Sequence, residues 1–303
     1  PAPPGAEPAT AYLLRVASGL FAQEGLALAK DCLQAIARDH DAPLERVDFR
    51  SAGRARERIN HWVAERTAGK IPELLPPNLP RPDTRLALAN AVAFQANWQH
   101  PFPESATQEA PFHAPGSVLT VPFLRRVGRY AYAEADGVRL LEVPYRDFHT
   151  SFVVLLPAQP DGLDGLERGL DAATLDRWLA ALKRRTVDLR LPRLRFRAPL
   201  DLVPILQGLG VRCAFDPSRA DFGALRPEND LFVGSVLHQA FIAVDEKGTE
   251  ASAATVVLMQ PRGLPPKPEA PLPFVADRPF LFLIRHRTTN TVLFLGRVLR
   301  PQG

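Results

Sequence analysis

Long apolar runs are missing from this 303-residue chain. Candidates such as 86–94 and 280–284 are strand-sized and fall short of the roughly 18 residues of a membrane span, so no membrane partner is expected. Cysteine is nearly absent. Cys32 and Cys213 stand alone and form neither a metal spacing nor a disulfide framework, so each reads as a buried or idle thiol. The signatures of catalysis are lacking too: there is no GxSxG elbow, no HExxH and no glycine-rich phosphate loop. Gly69-Lys70 has neither the upstream glycine nor the following Ser/Thr of a phosphate loop. None of the seven histidines joins a cluster with metal-ligand spacing. His238 near Ser235 reads as a satisfied core histidine, because no nucleophile turn accompanies it. Neither an enzyme nor a metal or cofactor is expected. The formal charge of +4 is a mild excess, mostly arginine, spread along the chain, which argues against nucleic acid. The basic groups 183–185 and 285–287 read as solvated surface more readily than as an anion site.

Proline is abundant, with 31 residues, about twice the ordinary share. The hydrophobic and charged fractions, 46% and 23%, suit a soluble globular chain with a large core. The sequence starts at Pro1 and its one methionine is Met259. It therefore reads as a fragment, with no signal peptide in view.

Residues 1–10 form a Pro/Ala tail expected to be disordered. Extended character at 11–21 gives way to a helix at 24–38, where Leu26, Ala29, Leu33 and Ile36 recur at spacings of three and four. A second amphipathic helix at 52–66 turns Ile59, Trp62 and Val63 to one face, and Gly69 stops it. The stretch 84–94 is apolar on both faces, as for a strand in the middle of a sheet, with Asn90 at its centre. Short strands follow from 118 to 156, then a helical interval at 163–182 and a strand at 187–191. A helix at 200–210 and strands at 231–236 and 240–244 come next, and strands at 279–284 and 292–298 close the chain. Helices precede strands instead of alternating with them, which suggests one α+β domain over 1–303, dominated by sheets.

The odd segment is 244–263, VDEKGTEASAATVVLMQPRG. From Gly248 to Thr255 only Glu250 is bulky. At period two, Thr249, Ala251, Ala253 and Thr255 share one face, with Glu250, Ser252 and Ala254 on the other. Composition alone favours a flexible, Ala-rich surface loop. The same pattern also suits a strand slim enough to slide between two others.

The run Glu246-Lys247-Gly248-Thr249-Glu250-Ala251-Ser252-Ala253-Ala254-Thr255 closely resembles the hinge of the reactive-centre loop of inhibitory serpins. Ile59-Asn60-x-Trp62-Val63, Leu88-x-Asn90-Ala91-x-x-Phe94-x-x-x-Trp98, Leu191-Pro192-Arg193, His238-Gln239-Ala240 and Asp277-Arg278-Pro279-Phe280 continue the resemblance in the family's order, from about residue 11 to 301. It implies a serpin-like α+β fold, with a large mixed β-sheet, further sheets, surrounding helices and a mobile loop at 246–273.

It also implies a suicide inhibitor of serine proteases. The loop is cleaved, an acyl-enzyme forms, and the freed strand inserts into the main sheet. Counting as the family does, fourteen residues beyond Gly248 set the reactive bond between Arg262 and Gly263. Arginine there implies trypsin-like targets, whose carboxylate-bearing pocket pairs a guanidinium. Trp98 resembles the aromatic where insertion begins, Asn90 and His238 a buried polar pair at the sheet's centre, and Arg193 with Glu246 an ion pair at the loop's base. A monomer is expected, secreted or otherwise extracellular. The family's first helices and the serines of its central gate have no counterpart in 1–10. The stretch between Arg262 and Pro279 is long enough to allow cleavage instead at Met259 or Lys267. A non-inhibitory serpin-like carrier or chaperone and an inactive truncated product are the alternatives.

Overall fold

The computed structural model describes residues 12–40, 43–146, 148–249 and 270–301. In chain order the elements are β1 (Tyr12–Gln23), α1 (Lys30–His40), β2 (Leu44–Val47), α2 (Ala52–Arg66) and β3 (Leu86–Asn97). Then come β4 (Gln108–Ala114), β5 (Ser117–Ala135), β6 (Val138–Pro144), β7 (Thr150–Pro157), α3 (Leu163–Gly169) and α4 (Ala172–Ala180). They are followed by β8 (Lys183–Pro192), β9 (Leu194–Asp201), α5 (Val203–Gly208) and β10 (Val236–Val244). The last are β11 (Gly248–Thr249), β12 (Leu272–Val275), β13 (Phe280–His286) and β14 (Thr291–Val298). Two sheets result. A six-stranded one runs β2-β1-β3-β11-β10-β9, and an eight-stranded one runs β12-β8-β5-β6-β7-β13-β14 with β4 paired to β5. The chain divides into two compact units, one built mainly from 95–196 and 242–303, the other from 14–94 and 197–241.

In the unit of 14–94 and 197–241, β1 and β2 run parallel, as do β3 and β10, from Leu88↔Val236 to Ala93↔Phe241. Helix α2 buries Ala55, Ile59, Asn60, Trp62 and Val63. Gly19 on β1 makes room for it, since a Cβ there would lie 2.6 Å from the Trp62 indole. The ring meets Phe21 edge-on at 5.3 Å. Asn60 is a buried amide whose oxygen accepts from the Leu74 and Leu75 N–H groups at 2.9 and 2.8 Å, while its NH2 donates to the Leu75 carbonyl. Gly69, at φ +76°, takes the left-handed turn that ends the helical run.

In the unit of 95–196 and 242–303, every residue of β7 is buried. Helices α3 and α4 cover one end of its sheet, packing Leu163, Leu166 and Trp178 with Leu140, Val153 and Leu283. Below that core, Glu142 and Arg285 form a buried ion pair at 2.7 Å. The Ser151 hydroxyl donates to the same carboxylate oxygen.

Several elements depart from the sequence expectations. The first helix starts at Lys30, because Gly25 at φ +78° turns the chain before it. The interval 163–182 is two helices, since Asp171 caps the second one by accepting from the Thr174 N–H at 2.7 Å. The expected helix at 200–210 shrinks to α5, because β9 runs on to Asp201 and a proline opens the helix. Residues 231–235 are irregular, with Leu231 buried and Phe232 exposed. One strand, β10, begins at Val236 and runs through the expected gap at 237–239.

Candidate functional site

The hinge residues are held by a tight reversal after β10. The Asp245 carboxylate accepts from the Lys247 and Gly248 N–H groups at 2.8 and 3.1 Å, and the Asp245 N–H donates to the Gly248 carbonyl at 2.8 Å. A short acidic side chain catching the next amides is a standard way to turn the chain. The turn lays Gly248 and Thr249 antiparallel to β3, pairing Asn97 and Ala96. On the other side Thr249 pairs with Val244 of β10. Two residues thus sit between two strands. Gly248 is required there by close approach, because a Cβ would lie 2.1 Å from the Ala96 carbonyl oxygen and 2.7 Å from the Asn97 Cα.

Thr249 is fully buried, with its hydroxyl 2.6 Å from the Tyr145 hydroxyl. Tyr145 stacks on Trp98 at 4.7 Å, with the planes 3° apart, and the two residues form a β-bridge. Trp98 is fully buried. Its indole N–H donates to the Asp245 carbonyl at 2.8 Å, and its backbone N–H to the Lys247 carbonyl at 2.9 Å. One tryptophan therefore bonds the hinge turn twice. Phe102 and Phe152 close its edges.

At the base of the turn, Arg193 pairs with Glu246. The Thr107 hydroxyl donates to the same carboxylate oxygen at 2.8 Å, and the Phe102 N–H donates to the Glu246 carbonyl at 2.7 Å. Burial alone would push this carboxyl up; hydrogen bonds from Thr107 and its own backbone, with Arg193, outweigh it and hold the carboxyl below its usual range.

Asn90 and His238 face one another on paired strands, with the imidazole Nδ1 2.6 Å from the amide oxygen. The Asn90 NH2 donates to the Ser18 hydroxyl at 2.9 Å, which leaves the amide oxygen as acceptor and puts the proton on Nδ1. Burial holds the imidazole below its usual range. The pair was expected to be buried; both side chains are half-buried. Asn90 also lines an apolar cavity of about 640 Å³ with Leu20, Ile36, Leu88 and Phe232.

The remaining expected residues, Glu250, Ala251, Ser252, Ala253, Ala254, Thr255, Arg262 and Gly263, lie outside the described residues, as does the tail at 1–10. Sequence reasoning missed Tyr145, Thr107 and Asp245. Asp245 had a local signal, an acidic residue three before a glycine. The other two, Thr107 just before β4 and Tyr145 just after β6, are far away in sequence and had none.

Known proteins agree on what this arrangement is. The family model described as Serpin (serine protease inhibitor) matches residues 5–301. The chain is similar to the leukocyte elastase inhibitor of Sus scrofa, 36% identical over 300 residues, covering 96% of this chain and 78% of that protein. It is equally similar to Serpin B8 of Homo sapiens, 36% identical over 297 residues, covering 96% and 78%. Among solved structures, uncleaved ovalbumin superposes with a TM-score of 0.84 at 28% identity, covering 97% of this chain and 76% of that one. The chain belongs to the serpin family.

Proposed function

We propose that this serpin is a suicide-substrate inhibitor of trypsin-like serine proteases, trapping the acyl-enzyme as the cleaved loop enters the sheet between β3 and β10. The observation that carries the reading is the double pairing of Thr249, with Ala96 of β3 on one side and Val244 of β10 on the other, and of Gly248 with Asn97 of β3 beside it. These are the first rungs an inserted strand would make, and the residues that follow in the sequence, apart from Glu250, are slim as far as Thr255. Beyond these rungs β3 and β10 pair directly from Ala93↔Phe241 onward, so deeper insertion must part them.

The energy is adequate. Inserting about twelve residues makes ladders on two sides, at about 0.5–1.5 kcal/mol net for each bond. The total, on the order of 10 kcal/mol, matches the ~5–15 kcal/mol that keeps a protease folded. Arg262 stands fourteen residues beyond Gly248, and a guanidinium suits a pocket floored by a carboxylate. Relatives are named for inhibiting an elastase. An elastase pocket is small and uncharged and would take an apolar residue such as Met259 instead.

Incubation with trypsin, followed by a denaturing gel and mass spectrometry of the released peptide, tests both points. An inhibitor gives a covalent band near the summed masses, with the new terminus at Gly263. A clipped chain with no covalent band overturns inhibition and favours a non-inhibitory binding role. A terminus after Met259 keeps inhibition and moves the specificity to apolar residues.

A further inference from the structure

The basic groups at 183–185 and 285–287 play no part in the hinge, yet one residue from each reaches the same pit. Strands β5 and β6 pair from Ala135↔Val138 back to Ala131↔Glu142 and then separate. The gap holds a cavity of about 80 Å³ lined by Gln99, His100, Arg129, Tyr130, Arg184 and Arg287, among others. A water needs ~10–15 Å³ of such space, so the pit has room for roughly five to eight water-sized atoms. A tetrahedral oxyanion, whose five heavy atoms are bonded to one another, fits in that space.

Its charge is one-sided. Ala131 lies opposite Arg184 and Arg129 opposite Thr186, so the two arginines are diagonal neighbours on one face, roughly 7–8 Å apart. Neither side chain has an ion pair or hydrogen bond among the described residues. Along the same face Arg125 and Arg190 share Asp188, at 2.9 and 3.6 Å, so the absence of a counter-charge is particular to the pit. Arg287 is anchored at its inner end, 3.5 Å from Glu142 and 3.1 Å from the Phe148 carbonyl, which spares its other N–H groups. The single carboxylate, Glu142, is already engaged by Arg285 and Ser151. Arg126, bonded to the Pro101 carbonyl at 2.8 Å, adds positive charge beside His100. Burial, then Arg126 and Arg184, push the His100 imidazole down. Tyr130 lines the pit as well, while its hydroxyl lies beside Gly128.

We infer that this pit binds a tetrahedral oxyanion, phosphate or sulfate, either free or as the terminal group of a monoester. Two unpaired guanidinium groups repel one another across strands. Planar N–H forks are suited to the oxygens of such an anion, and charge-assisted bonds of this kind are the strong ones. Arg129 and Arg184 supply the forks, Arg287 the third charge, and the pit's polar rim the remaining donors.

The test is thermal unfolding of the full chain in sodium sulfate, sodium phosphate or glycerol 2-phosphate, against chloride at equal ionic strength. Sulfate and phosphate also stabilise proteins by exclusion from their surfaces, so the double variant Arg129→Gln/Arg184→Gln is the reference. The wild type is expected to gain a saturable rise in unfolding midpoint that the double variant lacks. Arg184→Gln alone should weaken half-saturation about tenfold. Glycerol 2-phosphate matching phosphate assigns the site to an esterified group; a response to the inorganic ions alone assigns it to the free anion. NMR titration of the wild-type His100 ring is the second measurement, and sulfate should raise its pKa by offsetting Arg126 and Arg184. Equal curves for wild type and double variant, or a His100 titration indifferent to sulfate, overturn the proposal.

Discussion

The hydroxyl groups of Tyr145 and Thr249 lie 2.6 Å apart in a fully buried contact. Through it the buried Thr249 side chain is tied to the ring that stacks on Trp98. Replacing Tyr145 by Phe keeps the stack and removes this partner, leaving the Thr249 hydroxyl unsatisfied at a cost of about 1–3 kcal/mol. The hinge is expected to leave the slot more often, read as faster hydrogen exchange of the Gly248 and Thr249 amides while those of β7 hold.

A second substitution asks whether the slot must stay slim. Thr249→Arg would force a guanidinium into a fully buried position, where an unpaired charge costs several kcal/mol. Cleavage by trypsin should continue while the covalent band disappears. A band of undiminished strength would mean that insertion does not pass through this position.

Gly248→Ala tests the close approach. Its new Cβ meets backbone atoms of Ala96 and Asn97, which cannot rotate away as a side chain could. A destabilisation of about 1–3 kcal/mol is expected, the usual cost of overpacking. Denaturant unfolding measures it.

Glu246 and His238 both contribute to the pH response. Glu246 has a folded pKa below its unfolded value of about 4.3. Its contribution is therefore complete above that value and is lost as pH falls through the folded one. His238 also has a lowered folded pKa. Its neutral form stabilises the fold fully above about pH 6.5, and that contribution fades as pH falls through the folded pKa. Unfolding midpoints should thus drop in two steps on acidification. His238→Gln should shrink the upper step, which His100 shares, and Glu246→Gln the lower, which Asp48 and Asp188 share.

Much of the frame could be read from one-dimensional pattern. β3 stood out because its apolar residues fall on both faces, and α2 because Ile59, Trp62 and Val63 share one. The start of α1 was misplaced because Leu26 continues the helical spacing while Gly25, at φ +78°, turns the chain. The irregular stretch 231–235 looked like a strand because Leu231 and Val233 alternate, although only Leu231 is buried. Tyr145 could not be found that way. Its role depends on the bridge to Trp98 and on a threonine 104 residues away, and local pattern carries no information about such register. The oxyanion pit was hidden for the same reason: Arg184 and Arg287 each look solvated until two strands separate beside them.

The three tryptophans are placed as a built-in optical experiment. Trp98 is bonded to the hinge turn, Trp62 is wedged against Gly19 of β1, and Trp178 lies in the apolar cluster under α3 and α4. Sheet opening would disturb the emission of the first two and leave the third as a constant. The molecule thus carries its own reference signal, and the proposed rearrangement would be timed after cleavage without any attached label.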